Sequence, residues 1–156
     1  MNVADIVAEA RRKAEDERLR LANLDPASLE EIREVGGIFK RIVLPTLREL
    51  KIRLEQGGYL VRIYPVPYLD SMADLPRRID FLVGMVAEGT VIDGSVEEWL
   101  ERSGSRMIFM ANPERGFMSI SMTVFGKRYN GERHANGAVT PELIEAKIFK
   151  LVNVVS

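Results

Sequence analysis

Apolar residues recur through the first two dozen positions at heptad-like steps of three and four: Val3, Val7, Ala10, Ala14, Leu21 and Leu24, with Glu17 in one seam position. The stripe predicts a charged helical arm over residues 1–24. Its alanines bury little area, and at about 25 cal/mol per Å² so narrow a seam does not offset the ordering of the chain that carries it. Such an arm needs a partner, from its own domain, a second copy or another protein.

The period stays helical after "LDPASLEEI", where Ser28 and Glu31 have the spacing of a capping box. From there Ile32, Val35, Phe39, Ile42, Val43, Leu47, Leu50 and Leu54 fall within an arc of about 140° at 100° per residue, which predicts a long core-facing helix. Gly36-Gly37 weakens its interior, Pro45 should kink or split it, and Gly57-Gly58 supplies the stop.

Beyond residue 58 the period changes to two. "YLVRIYPV" and "RRIDFLVGMV" read as strands separated by the loop "PYLDSMADLP". "DGSVEEWLERSG" interrupts them with a short helix, capped by Ser95 with Glu98 and closed by Gly104. "RMIFMA" and "FMSISMTVF" flank "NPERG", which suits a turn closed by a glycine bulge. In the second of these strands Met118, Ile120, Met122 and Val124 take one face, and Ser119, Ser121 and Thr123 the other. The last helix starts with Thr140 as cap and Pro141 in its first turn, and Ile144, Ile148, Leu151, Val152 and Val155 line one side.

Runs of helix separated from runs of strand predict an α+β fold. The expectation is an antiparallel sheet of four or five strands, packed by a long helix in the N-terminal half and by a C-terminal helix, with residues 25–156 forming one domain beside the arm. A chain of 156 residues with 46% apolar and 29% charged residues is long enough for a core of its own. The formal charge of -1 gives no global attraction to nucleic acid or anionic lipid, so an electrostatic partner must be read by a local patch. Cysteine is absent, which removes disulfides, thiol nucleophiles and thiolate zinc sites. The first residues lack the apolar core of a secretory signal, and no run reaches the ~20 residues that cross a bilayer as a helix, so a cytoplasmic protein without membrane attachment is expected.

The common nucleotide-loop, hydrolase and zinc-protease signatures are missing, and His134 is the lone histidine, so neither a metal nor a cofactor is expected. No residue is singled out as catalytic. Asp80 interrupts a strand, where alternation places it opposite Ile79 and Phe81 on the solvent face. Lys40, Arg41, Arg48 and Lys51 form a basic stripe on the long helix, opposite its apolar side. "GKRYNGERHANG" concentrates Lys127, Arg128, Tyr129, Arg133 and His134, and Asn130-Gly131 within it fits a two-residue hairpin turn, with Asn136-Gly137 a second turn before the last helix. The loop would then be an exposed cationic tip.

These readings lead to a non-enzymatic interaction or adaptor module, homo-oligomeric through its arm, that binds another protein. One alternative is a small-molecule-binding protein or enzyme with a pocket between sheet and long helix, near Asp80, Ser119, Ser121 and Thr123. Another is weak nucleic-acid binding through the basic helix face and the tip, which the neutral overall charge argues against.

Overall fold

The computed structural model describes residues 2–22, 26–67, 75–86, 88, 89, 91, 92, 94–112 and 116–155. The chain is α+β. Its elements run α1 (Val3–Ala22), α2 (Pro26–Ile38), a π-turn (Phe39–Val43), α3 (Leu44–Gln56), β1 (Tyr59–Pro67), β2 (Pro76–Met85), α4 (Val96–Ser103), β3 (Ser105–Ala111), β4 (Phe117–Val124), β5 (Lys127–Ala135), a 3-10 turn (Asn136–Ala138) and α5 (Pro141–Val155). The five strands form one sheet in sequential order, with every neighbouring pair antiparallel.

The rod from α2 to α3 is continuous because the chain absorbs Pro45 without breaking. Proline lacks an amide and crowds the carbonyl four residues earlier. One π-turn before it lets the Leu44 amide donate to the Phe39 carbonyl, and the Thr46 hydroxyl donates to the Ile42 carbonyl at 2.6 Å. Gly36 is also accounted for: a Cβ there would lie 2.8 Å from Leu75 Cδ2, so the glycine lets the chain before β2 pack on the rod. The rod begins at Pro26, ahead of Ser28, whose side chain lies outside the described residues. The Glu31 carboxylate accepts the Gly116 amide at 2.7 Å, and so ties the rod to the β3–β4 connection.

Strand alternation then builds the core. Val61, Ile79, Phe81, Met107, Phe109, Met118, Ile120 and Val124 meet Val35, Phe39, Val43, Leu47, Leu50 and Leu54 of the rod and Ile144, Ile148 and Leu151 of α5. Among the described residues the opposite face of the sheet is covered at one end, where α4 lays Trp99 and Leu100 on Leu82. Gly84 makes room, since a Cβ would come within 2.7 Å of the Trp99 ring. Ser95 caps α4 by accepting the Glu98 amide at 3.1 Å, and Thr140 caps α5 by accepting the Leu143 amide at 3.2 Å.

The cationic tip is resolved differently from its sequence expectation. The hairpin turn between β4 and β5 is Phe125-Gly126, both at positive φ (49° and 82°), with Val124 paired to Lys127 across it. Asn130-Gly131 sits inside β5 as a bulge: Ile120 pairs with Glu132 and Met122 with Tyr129, so two residues of β5 oppose Ser121 alone. The reason is strand length. A turn at residues 130 and 131 would leave only residues 132–135 to pair, whereas the earlier turn lets the 9-residue β5 run along the whole of β4. The turn proposed within "NPERG" lies at residues 113–115, outside the described residues, although Gly116 has the positive φ, 84°, expected of a closing glycine.

α1 stands apart from this packing. Val3, Ile6, Val7 and Leu19 are exposed, and the described side chains of α1 are exposed along its length. Local devices hold it instead. Asn2 Oδ1 accepts the Asp5 amide at 2.9 Å, and Glu9 pairs with Arg12 and Lys13, as Glu15 does with Arg18, one turn apart. Among the described residues no helix is long and apolar enough to cross a membrane.

Candidate functional site

The uncovered part of the sheet is the surface with most chemistry on it. Register puts its side chains in rows across the strands. Arg62, Leu82, Arg106, Thr123 and Arg128 make one row, and Tyr64, Asp80, Ile108 and Ser121 the next. A third holds Arg78, Met110, Ser119 and Arg133.

The bulge decides this arrangement. Arg128 and Arg133 are an odd number of residues apart, so in an unbroken strand they would face opposite ways. The extra residue at Asn130-Gly131 resets the alternation, and both pair with open-face residues of β4, Arg128 with Thr123 and Arg133 with Ser119. Lys127, Tyr129 and His134 instead pair with Val124, Met122 and Met118, residues of the core face. The tip residues are therefore divided between two faces.

Asp80 lies on the open face, opposite Ile79 and Phe81 as alternation requires, yet it is buried rather than solvated. Arg78 donates to both of its carboxylate oxygens, from Nε at 2.5 Å and Nη2 at 2.8 Å, and Arg106 Nε lies 3.9 Å from it. The Arg78 pKa is raised by that hydrogen bond to Asp80, so the guanidinium stays charged in the pair. Arg106 also donates to Glu101 of α4 at 2.8 Å. At the far edge Tyr64 is hydrogen-bonded to Glu97; desolvation first, then that bond, raises its pKa. Glu97 is held below the usual carboxylate range by its own backbone amide and then by Tyr64 and Arg62.

A concavity of about 530 Å³ opens on this face. Arg78, Arg106 and Arg128 stand in its wall with Glu101, and Ser121, Thr123 and Ile108 contribute from the strands. The face carrying Asp80, Ser119, Ser121 and Thr123 is therefore turned away from the long helix. The space between rod and sheet is filled by Phe39, Val43, Leu47, Phe81 and Phe109, each fully buried, so the pocket expected there is replaced by one on the other side.

A smaller cleft of about 310 Å³ lies at the edge of the core face, lined by Met122, Tyr129, Glu132, Lys147 and Lys150. Glu132 is paired there with Lys147 and lies 3.2 Å from His134 Nε2. The hydrogen bond from Lys147 chiefly, and that from His134 next, hold its carboxyl below the usual range. No group of three or more metal-ligating side chains converges among the described residues.

Comparison with protein-family models, with curated proteins and with solved structures returned no match. Geometry alone therefore carries the functional reading.

The basic stripe on the rod is present on its exposed side, with Lys51 reaching Glu55 and Arg41 donating to the Gly37 carbonyl at 3.3 Å. Lys40 and Arg48 are exposed. Arg78, Arg106 and Tyr64 escape the sequence reading because strand register is invisible in one sequence. Their signal was parity: Arg78 with Asp80, and Arg106 with Ile108, share the face that Ser119 and Ser121 define.

Proposed function

We propose that the chain is a non-enzymatic interaction module that presents α1 to an acidic amphipathic helix of another protein. One observation carries the reading. Every other helix of the chain has apolar residues buried in the fold, whereas the stripe of α1, at Val3, Val7, Ala10 and Ala14, is exposed. Among the described residues a cap and ion pairs are what hold this 20-residue helix, devices that leave a helix marginal in water, and a partner that covers the stripe would stabilise it.

Charge selects the partner. Positions beside the seam carry Arg11 and Arg18 on one flank and Ile6 and Lys13 on the other, while Asp5, Glu9 and Asp16 lie on the far side. Parallel self-pairing would set Lys13 against Arg18 of the second copy, and antiparallel pairing would set arginine against arginine. Both are repulsive, so self-association through α1 is disfavoured. A helix with glutamates beside its own seam is complementary in either direction. Valine and alanine in place of large aromatics suit close helix packing rather than a lipid surface.

The sheet edges are poor alternatives. β1 contains Pro65 and ends at Pro67, and β5 carries Lys127, Arg128, Glu132 and Arg133 around a bulge, features that hinder the addition of a strand.

Two synthetic heptad peptides with the same apolar seam, one flanked by glutamate and one by lysine, test the proposal by fluorescence anisotropy against the whole protein. The glutamate peptide should bind and the lysine peptide should not, and Arg11→Glu with Lys13→Glu and Arg18→Glu should reverse the preference. Equal binding of the two peptides, binding of neither, or a protein that already dimerises through α1 in sedimentation would refute it.

A further inference from the structure

The concavity on the open face of the sheet has the composition of a ligand site that is independent of α1. We propose that it binds a small organic oxyanion, a phosphate monoester or a carboxylate, between Arg106 and Arg128 and over the hydroxyls of Thr123 and Ser121.

Register supplies the geometry. Arg106, Thr123 and Arg128 are directly opposite one another on three adjacent strands, so the two arginines root about 10 Å apart, two strand spacings, with a hydroxyl between them. Guanidinium side chains on either side of that gap are long enough to meet at one oxyanion, and the planar fork matches carboxylate and phosphate oxygens. Ser121, opposite the bulge, adds a second hydroxyl to the same wall.

The charge there is incompletely matched. Arg78 is taken up by Asp80, and Arg106 is shared between Asp80 and Glu101. Arg128 has neither a hydrogen bond nor an ion pair among the described residues, and the same is true of the Ser121 and Thr123 hydroxyls. Among the described residues three guanidinium groups face two carboxylates there, and the surplus cation sits beside the two unengaged hydroxyls. An anion bound at that point would complete the network.

Size and polarity restrict the ligand further. A concavity of about 530 Å³ is within the range of small-molecule sites, and half-buried Ile108 offers an apolar patch beside the cations, with Leu82 and Leu100 buried behind it. A bare inorganic ion would leave that surface uncovered. An aromatic or aliphatic body carrying one anionic group would use both parts.

The experiment is a titration of the whole protein with phenyl phosphate, benzoate and phenol, followed by amide chemical shifts. Phenyl phosphate or benzoate should saturate at millimolar concentration or below and move the amides of Ser121, Thr123 and Arg128, while phenol leaves them unmoved. Preference for the phosphate would assign a phosphorylated ligand, and preference for benzoate a carboxylate. Arg128 is exposed, so Arg128→Gln should fold normally and weaken binding about tenfold, the loss expected for one charge-assisted hydrogen bond, whereas Lys40→Gln should have no effect. Absence of saturation by either anion, equal binding by phenol, or undiminished binding by Arg128→Gln would overturn the assignment.

Discussion

The two terminal helices are both amphipathic; α5 is packed, whereas the described side chains of α1 are exposed. Ile144, Ile148 and Leu151 of α5 are fully buried, whereas Val3 of α1 is 76% exposed. The difference lies in the residues on each stripe. α5 brings isoleucines and leucine to a sheet face already lined by Met107, Phe109 and Met118, and the area removed from water there is large. Over its described side chains the stripe of α1 brings Val3, Val7, Ala10 and Ala14, which are smaller and would remove less area from water. Amphipathic spacing therefore predicts a helix, and side-chain volume together with an available surface decides whether the helix belongs to the core.

The largest effect expected from this contrast is in α5. Ile148→Ala should lower the free energy of unfolding by about 2–5 kcal/mol, the range for deleting several buried methyl groups, measured by urea denaturation. Val7→Ala in α1, by contrast, should leave the urea midpoint unchanged. A loss above 1 kcal/mol there, on the order of a buried methyl group, would mean that α1 packs on its own domain.

α4 sharpens the comparison from between the two extremes, since its buried apolar anchors among the described residues are Trp99 and Leu100. Gly84→Ala places a methyl group against the Trp99 ring and should destabilise by about 1–3 kcal/mol, with a change in tryptophan fluorescence. Unchanged fluorescence would place Trp99 elsewhere.

Caps should divide in the same manner as the helices. Thr140→Ala should cost about 1 kcal/mol of global stability because α5 unfolds with the core. Asn2→Ala should reduce helical ellipticity and leave the global midpoint where it was.

The smallest effect is the one that depends on pH. Glu132 joins β5 to α5 through Lys147, and its folded carboxyl titrates below the usual value of about 4.3. The folded state thus holds fewer protons than the unfolded state in acid. Its stabilisation is complete above the unfolded pKa and disappears as pH falls through the folded one. Half of the side chain is exposed, so solvent screening keeps the contribution small. Glu132→Gln should narrow its stability gap from the parent protein as pH falls from neutral through the lowered folded pKa. A constant gap across that range would exclude the ion pair as its source.

Much of the architecture was legible from periodicity. The rod, β1 to β4 and the division of β4 into Met118–Ile120 and Ser119–Ser121 faces follow from steps of 3.6 and 2, and Ser95 and Thr140 as caps from residue type. What was not legible is long-range register. Asn130-Gly131 has the sequence of a hairpin turn, and only its position against β4 makes it a bulge; with that one residue, Arg128 and Arg133 exchange from opposite faces to the same one. Asp80 was placed on the correct side of β2, but its burial depends on Arg78 and Arg106, and Arg106 belongs to another strand. The cap at Asn2 is local: its Oδ1 accepts the Asp5 amide three residues on, a spacing visible in the sequence.

Hydrogen exchange of the free protein, followed residue by residue at low concentration, tests most directly whether α1 is held in reserve for another chain. The amides of α1 should exchange with the slight protection of an isolated helix, while those of α5 exchange only on global unfolding. Protection of α1 equal to that of α5, and independent of protein concentration, would contradict the account by showing that its stripe is already covered within the chain.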